Sequence, residues 1–212
     1  MSKNTNKKLK LYQNKDKIEA GIDEAGRGSL IGRVYTAVVI LNNDLDDELL
    51  EKMNEIRDSK KLSKKKRNEL RYFIEENALD YSVSYKENYE IDKDNILNAT
   101  LSSMHNSLDN LNIIPDKILV DGNNFKEYYV NDTKIDYECI VKGDDTYMSI
   151  ASASILAKVY HDEHIEELCK DNEDLIKYDL LNNMGYGTKK HLQAITDYGI
   201  SEFHRKSFKC CK

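Results

Sequence analysis

The chain has 212 residues, of which 40% are hydrophobic and 33% charged, with a formal net charge of −6. That length suits one domain, or one domain with a small appendage, able to bury about 70% of its unfolded surface. No apolar run reaches membrane-spanning length and none follows the lysine-rich N-terminus as a signal would, so a soluble, cytoplasmic protein is expected, or a nuclear one in a eukaryote.

In chain order, strand-like patterns fall at 17–23, 34–41, 80–86, 117–121 and 136–142, with residues 1–16 read as a flexible lysine-rich tail. Between the third and fourth, Leu97, Leu101, Met104, Leu108 and Leu111 recur at spacings of four and three, predicting a helix with one apolar core stripe. A second helix is predicted from Asp145 to about Cys169, its early part SIASASILAKV rich in small residues that let it lie close to a sheet. A third, TKKHLQAITDYG, is capped by Thr188 and ends at Gly199. Five strands interleaved with helices predict an α/β fold with a helical C-terminal part at about 165–212.

Charge is unevenly spread. Lys60, Lys61, Lys64, Lys65, Lys66 and Arg67 cluster in DSKKLSKKKR, with further bases near both termini, while acids crowd 44–51 and 162–174. A fold that brought those bases beside a cluster of acids would make a phosphate track; otherwise Lys64 to Arg67 form a solvated helix face starting near Ser63. Cys139, Cys169, Cys210 and Cys211 lack paired spacing and read as free thiols, which argues against structural zinc.

Four acids stand at predicted strand ends or in tight turns: Asp23 and Glu24 in GIDEAGRG, Asp121 in ILVDGN and Asp144 in VKGDD. Gathered together they would repel one another unless a divalent cation neutralised them, and hard oxygen ligands favour magnesium or manganese. Two glycine-loop alternatives fit poorly. GIDEAGRG has the glycine spacing of a phosphate-binding P-loop, but Arg27 replaces the required lysine, Gly28 replaces the hydroxyl, and two carboxylates would repel a phosphate. A dinucleotide-binding turn built on Gly26, Gly28 and Gly32 has one residue too many and the same charge conflict.

The segments GIDEAGRG, DSKKLS, ILNATLSSMHNSL, ILVDGN, IVKGD with SIASASILAKV, GYGTKKH and FHRKSF occur in the order found in the ribonuclease HII family. The chain resembles that family over nearly its whole length. About sixteen residues precede the first predicted strand, too few for the N-terminal substrate-binding domain of type III siblings. The resemblance implies a ribonuclease-H-like fold, a mixed central sheet flanked by helices, with the catalytic domain at 17–212. It also implies hydrolysis of the RNA strand of RNA/DNA hybrids and cleavage 5′ of single ribonucleotides in duplex DNA, by a monomer with no membrane partner. A non-catalytic hybrid-binding protein of the same fold is the alternative, separated from the enzyme by metal-dependent turnover.

By that resemblance Asp23, Glu24, Asp121 and Asp144 are the catalytic acids and the ligands of two ions, Mg2+ or Mn2+, about 3.5–4 Å apart. Gly26, Arg27 and Gly28 fall on the segment that meets the ribonucleotide's 2′-hydroxyl and adjoining phosphates, and Tyr186 on the tyrosine against the following sugar. Lys60 and Lys61 match a segment near the substrate, and Lys158 is placed to reach a phosphate. His161 and His164 read as surface residues, Asp162 as an outer-shell acid, and His204 and Arg205 as anchors of the C-terminal segment. Ser29 and Arg33 replace prolines usual in the family, making Arg33 a further candidate phosphate contact, and Met184 replaces a common lysine.

Overall fold

A computed structural model of the chain describes residues 8–56 and 62–212. Six strands form one sheet: β1 (Glu19–Ala25), β2 (Val34–Ile40), β3 (Asp80–Lys86), β4 (Lys117–Asp121), β5 (Tyr128–Val130) and β6 (Thr133–Ile140), in the order β3-β2-β1-β4-β6-β5. The helices are α1 (Asp47–Met53), α2 (Lys64–Asn77), α3 (Asn88–Asp94), α4 (Ile96–Asp109), α5 (Met148–Asp171), α6 (Leu180–Asn183) and α7 (Lys189–Tyr198). None of the described helices is long and apolar enough to cross a membrane. Contacts group the chain into two compact units, one drawn from Met1–Asp23, Val38–Tyr81 and Leu111–Ile155, the other from Glu24–Ala37, Ser82–Asn110 and Leu156–Lys212.

In the first unit β4 is the organising strand. Ile118, Leu119 and Val120 are wholly buried, as expected of a short β-branched run covered on both faces. β4 pairs in parallel with β1, from Glu19 opposite Lys117 to Ile22 opposite Val120, and in parallel with β6, ending at Asp121 opposite Ile140. At Gly21 a side chain is impossible: a Cβ there would fall inside the backbone of Ser149 and Ile150 at the start of α5. The small residues of that helix allow the close approach. Glu19, also buried, accepts from the backbone N–H groups of Gln13 (2.6 Å) and Asn14 (2.8 Å), and Lys10 bridges Tyr147, so part of the predicted tail is hydrogen-bonded.

β5 is absent from the predicted elements. It pairs antiparallel with β6 through a two-residue turn, Asn131-Asp132, both at positive φ (48° and 62°), the geometry such turns need and these residues tolerate. β1 begins and ends two residues later than the predicted 17–23, so Glu24 as well as Asp23 lies within the strand.

In the second unit α4 forms where predicted, but its core face is not the leucine stripe alone. Leu101, Met104 and Leu108 are buried, whereas Leu97 is 38% exposed and Leu111 lies past the helix end. Ala99, Thr100, Ser103 and Ser107 share the buried face. Ser103 and Ser107 each lie 2.8 Å from the buried Thr36 hydroxyl of β2, so the three hydroxyls satisfy one another. α7 begins with Thr188 accepting from His191 N–H (3.3 Å) and ends at Gly199 with φ 76°, both as predicted.

Candidate active site

The pairing of β1 with β4 stops at Ile22 and Val120, and the residues that follow are Asp23 and Asp121. Carboxyl ends of parallel strands are where α/β sheets place ligand sites. Asp144 arrives from the other neighbour of β4: after β6, Lys142 takes a left-handed conformation (φ 58°) and Gly143–Asp145 make one turn of 3-10 helix into α5. Gly143 N–H donates to Asp121 Oδ1 at 2.7 Å, which fixes the turn against the strand.

The result is a carboxylate oxygen from each of Asp23, Asp121 and Asp144 all within 4.8 Å of one another. Asp23 and Asp144 are buried and Asp121 half-buried. Three like charges so close, poorly hydrated, are held together at low cost only by a cation, and an all-oxygen donor set suits a hard divalent ion such as magnesium or manganese. Glu24 is not in this group; its Oε1 accepts from Arg27 Nη1 at 3.0 Å.

In the second unit the Gly26-Arg27-Gly28 loop is built on Arg205. That guanidinium, wholly buried, donates to the carbonyls of Gly26 (2.8 Å), Arg27 (3.2 Å), Gly32 (3.0 Å) and Arg33 (2.8 Å). Burial lowers its pKa to about 10. Among the described residues there are no cis peptides, and in a trans peptide the N–H points opposite to the preceding carbonyl. With the Gly26 and Arg27 carbonyls turned toward Arg205, the N–H groups of Arg27 and Gly28 are turned away from it, on an exposed stretch of chain. Paired N–H donors of this kind make a concavity for an anion or hydroxyl. Gly26 must be glycine: its φ is 86°, and a Cβ would collide with the His161 ring.

Tyr186 lies beside this loop. A Cβ on Gly28 would sit 3.6 Å from its ring, and Ser29 and Tyr186 form a β-bridge. Lys158 Nζ stands 5.2 Å from the ring centroid and pairs with Asp162 at 2.7 Å, so Lys158 braces the tyrosine and its charge is already matched. His161, expected at the surface, is wholly buried: its Nδ1 is 3.1 Å from Asp162 Oδ1, its ring packs 5.7 Å from Tyr186, and its Nε2 is without a hydrogen-bond partner among the described residues. The misreading came from the acid-rich end of α5; residues 161, 165 and 169 recur at helical spacing on its buried face. His164 is half-buried rather than a surface residue.

The remaining candidates resolve differently. Lys60 and Lys61 lie outside the described residues. Lys66 is committed to Glu55 (2.7 Å) and Glu69 (2.9 Å), and Arg67 donates to the Leu62 carbonyl. Arg33 bonds Glu87 and the Tyr35 hydroxyl and stacks 4.0 Å from the Tyr85 centroid, so it is spent inside the fold rather than offered to phosphate. All four cysteines are free thiols.

Burial, above all, pushes His161 and His191 below the ordinary imidazole pKa, and takes His164 and His204 to about 4. These groups are neutral in the fold, while the unfolded chain titrates near 6.5. As pH falls from about 6.5 toward 4 the unfolded state takes up protons first, so their contribution is intact above 6.5 and lost through that window. The melting temperature is expected to fall by about 5–10 °C between pH 7 and pH 4.5. A flat profile in thermal denaturation would contradict the burial of these rings.

Comparison with known proteins agrees over most of the chain. The ribonuclease HII family profile matches residues 20–211. A ribonuclease HII of Christiangramia forsetii is 47% identical over 201 residues, 95% of this chain and 94% of that one. One from Phocaeicola vulgatus is 47% identical over 197 residues, 93% of this chain and 92% of its own. Among solved structures, ribonuclease H2 of Pyrococcus horikoshii superimposes with a TM-score of 0.69 at 25% identity, covering 91% of this chain and 94% of that one. The fold therefore follows from structure, and the relationship from sequence: the chain belongs to the ribonuclease HII family, a family of metal-dependent ribonucleases.

Proposed function

We propose that the chain is an endoribonuclease that hydrolyses the RNA strand of RNA/DNA hybrids and cuts 5′ of single ribonucleotides embedded in duplex DNA. The observation that carries the chemistry is the convergence of Asp23, Asp121 and Asp144 from three chain segments to within 4.8 Å. Family resemblance adds Glu24 as the fourth acid. In this reading the carboxylates hold Mg2+ or Mn2+ as a two-ion site, which would activate water for in-line attack on phosphorus and neutralise the departing 3′ oxygen, leaving a 3′-hydroxyl and a 5′-phosphate.

Recognition is assigned to the second unit. The outward N–H groups of Arg27 and Gly28 suit the 2′-hydroxyl and its neighbouring phosphate, the group by which RNA differs from DNA. Tyr186, braced by Lys158 and His161, offers a ring face to the next sugar. Lys60 and Lys61 remain assigned to a segment near the substrate by resemblance alone.

The test is cleavage of an end-labelled DNA duplex carrying one ribonucleotide, with magnesium or manganese and with a chelator control. One metal-dependent cut immediately 5′ of the ribonucleotide is expected. Cleavage of long hybrids alone would remove single-ribonucleotide reading, and silence on both substrates would leave a binding protein. Tyr186→Ala is expected to lower kcat/KM on the single-ribonucleotide duplex by about tenfold more than on a long hybrid, as loss of a positioning contact does. Equal losses on the two would sink the role given to this tyrosine.

A further inference from the structure

Two wholly buried imidazoles, His191 of α7 and His204, lie with Nε2 3.1 Å from Nε2 under the Tyr178 ring. Their protonation can be worked out from the ends of the chain. Tyr186 O, a carbonyl, can only accept, and His191 Nδ1 is 3.1 Å from it, so Nδ1 of His191 carries a proton. At the other end the Ser201 N–H donates to His204 Nδ1 at 3.0 Å and the Ser201 hydroxyl lies 2.8 Å from the same nitrogen, so Nδ1 of His204 is a lone pair. His204 therefore carries its proton on Nε2 and donates it to the bare Nε2 of His191. Every donor meets an acceptor in this arrangement alone. A proton added to either ring would set two N–H groups face to face.

The residue after His204 is Arg205, whose guanidinium holds the carbonyls of the Gly26-Arg27-Gly28 loop. One C-terminal turn thus grips the two elements assigned to the ribose: the loop through Arg205, and the Tyr186 backbone through His204 and His191. The same Tyr186 carbonyl also accepts from Thr188 N–H (2.8 Å), and Leu30 N–H donates to Gly185 O (2.8 Å), so neither element is held by chance contacts.

We propose that His191 and His204 are positioning residues that set the gap between the Gly26-Arg27-Gly28 loop and Tyr186, and thereby the enzyme's discrimination for a single ribonucleotide. This rests on the reading that those two elements meet the sugar. Neither imidazole touches substrate; both act through the tyrosine's backbone.

His191→Leu and His191→Gln in the full chain test it, with Tyr186→Ala measured in parallel. Leucine removes both bonds. Glutamine offers one acceptor and one donor and can replace them. His191→Leu is expected to lower kcat/KM on the single-ribonucleotide duplex by about tenfold relative to a long hybrid, and His191→Gln to restore most of the ratio. If the leucine variant does not fold, His191→Asn, too short to reach both partners, carries the same expectation. Selective loss in Tyr186→Ala without it in the His191 variant overturns the positioning role. Equal losses of both substrates in Tyr186→Ala overturn the reading of the tyrosine instead. Nitrogen-15 NMR of the imidazoles supplies a readout independent of activity: His191 protonated on Nδ1 and His204 on Nε2 at neutral pH is expected, and any other pair of tautomers overturns the proton assignment.

Discussion

Asp121→Asn is expected to reduce cleavage of both hybrid and single-ribonucleotide substrates by about a thousandfold or more while leaving hybrid binding within a few-fold of the parent. The change separates two jobs of one side chain. Asn keeps an Oδ1 to accept from Gly143 N–H, so the turn carrying Asp144 stays docked on β4. What it loses is the charge. With Asp23 and Asp144 alone the cluster holds a divalent ion weakly, and the stabilisation of charge developing on the phosphate, worth several kcal/mol, is lost with it. Fluorescence anisotropy with a labelled hybrid, beside single-turnover cleavage, makes the comparison. Retained cleavage would remove Asp121 from the metal site, and lost binding would mean that the acid supports the fold instead.

Arg205→Lys is expected to destabilise the protein by about 3–5 kcal/mol. The guanidinium fork serves four carbonyls along two strands of chain, Gly26 and Arg27 on one side and Gly32 and Arg33 on the other. An ammonium is a compact donor on a flexible stem and cannot span them, so buried carbonyls lose partners while a buried charge remains. Denaturant unfolding measures the loss. A change below about 1 kcal/mol would mean that water or backbone adjustment replaces the arginine, and that the loop is not built on it.

The convergence of Asp23, Asp121 and Asp144 was legible because they sit in short segments whose order along the chain is itself distinctive, and because a buried strand such as 117–121 announces itself by β-branching and a terminal glycine. Thr188 and Gly199 were legible as helix ends for equally local reasons. Other features depend on distant partners. The inward turn of Arg205 is decided by Gly32, 173 residues away, and the burial of His161 by Gly26 and Tyr186. Nothing in HDEHIEEL marks one histidine as interior, since the surrounding acids give that stretch a solvated look. The β5 hairpin was missed for a different reason. Val130-Asn131-Asp132-Thr133 between aromatic and β-branched residues was a usable turn signal, but a strand of three residues falls below the length at which alternation can be read. The leucine stripe of α4 misled at its two ends because Ala99, Ser103 and Ser107, small enough to bring the helix close to Thr36, define the packing face.

Gly21 has a reach beyond its own contact. It lies two residues before Asp23 on β1, and the backbone it touches belongs to Ser149 and Ile150, five and six residues after Asp144. The distance between two of the three acids is thus gauged by a hydrogen atom where every other amino acid has a carbon. A single methyl group at position 21, itself unable to bind anything, would wedge helix from strand and widen the gap between the two carboxylates. The spacing of the acid cluster is set, in part, by the thinnest place in the core.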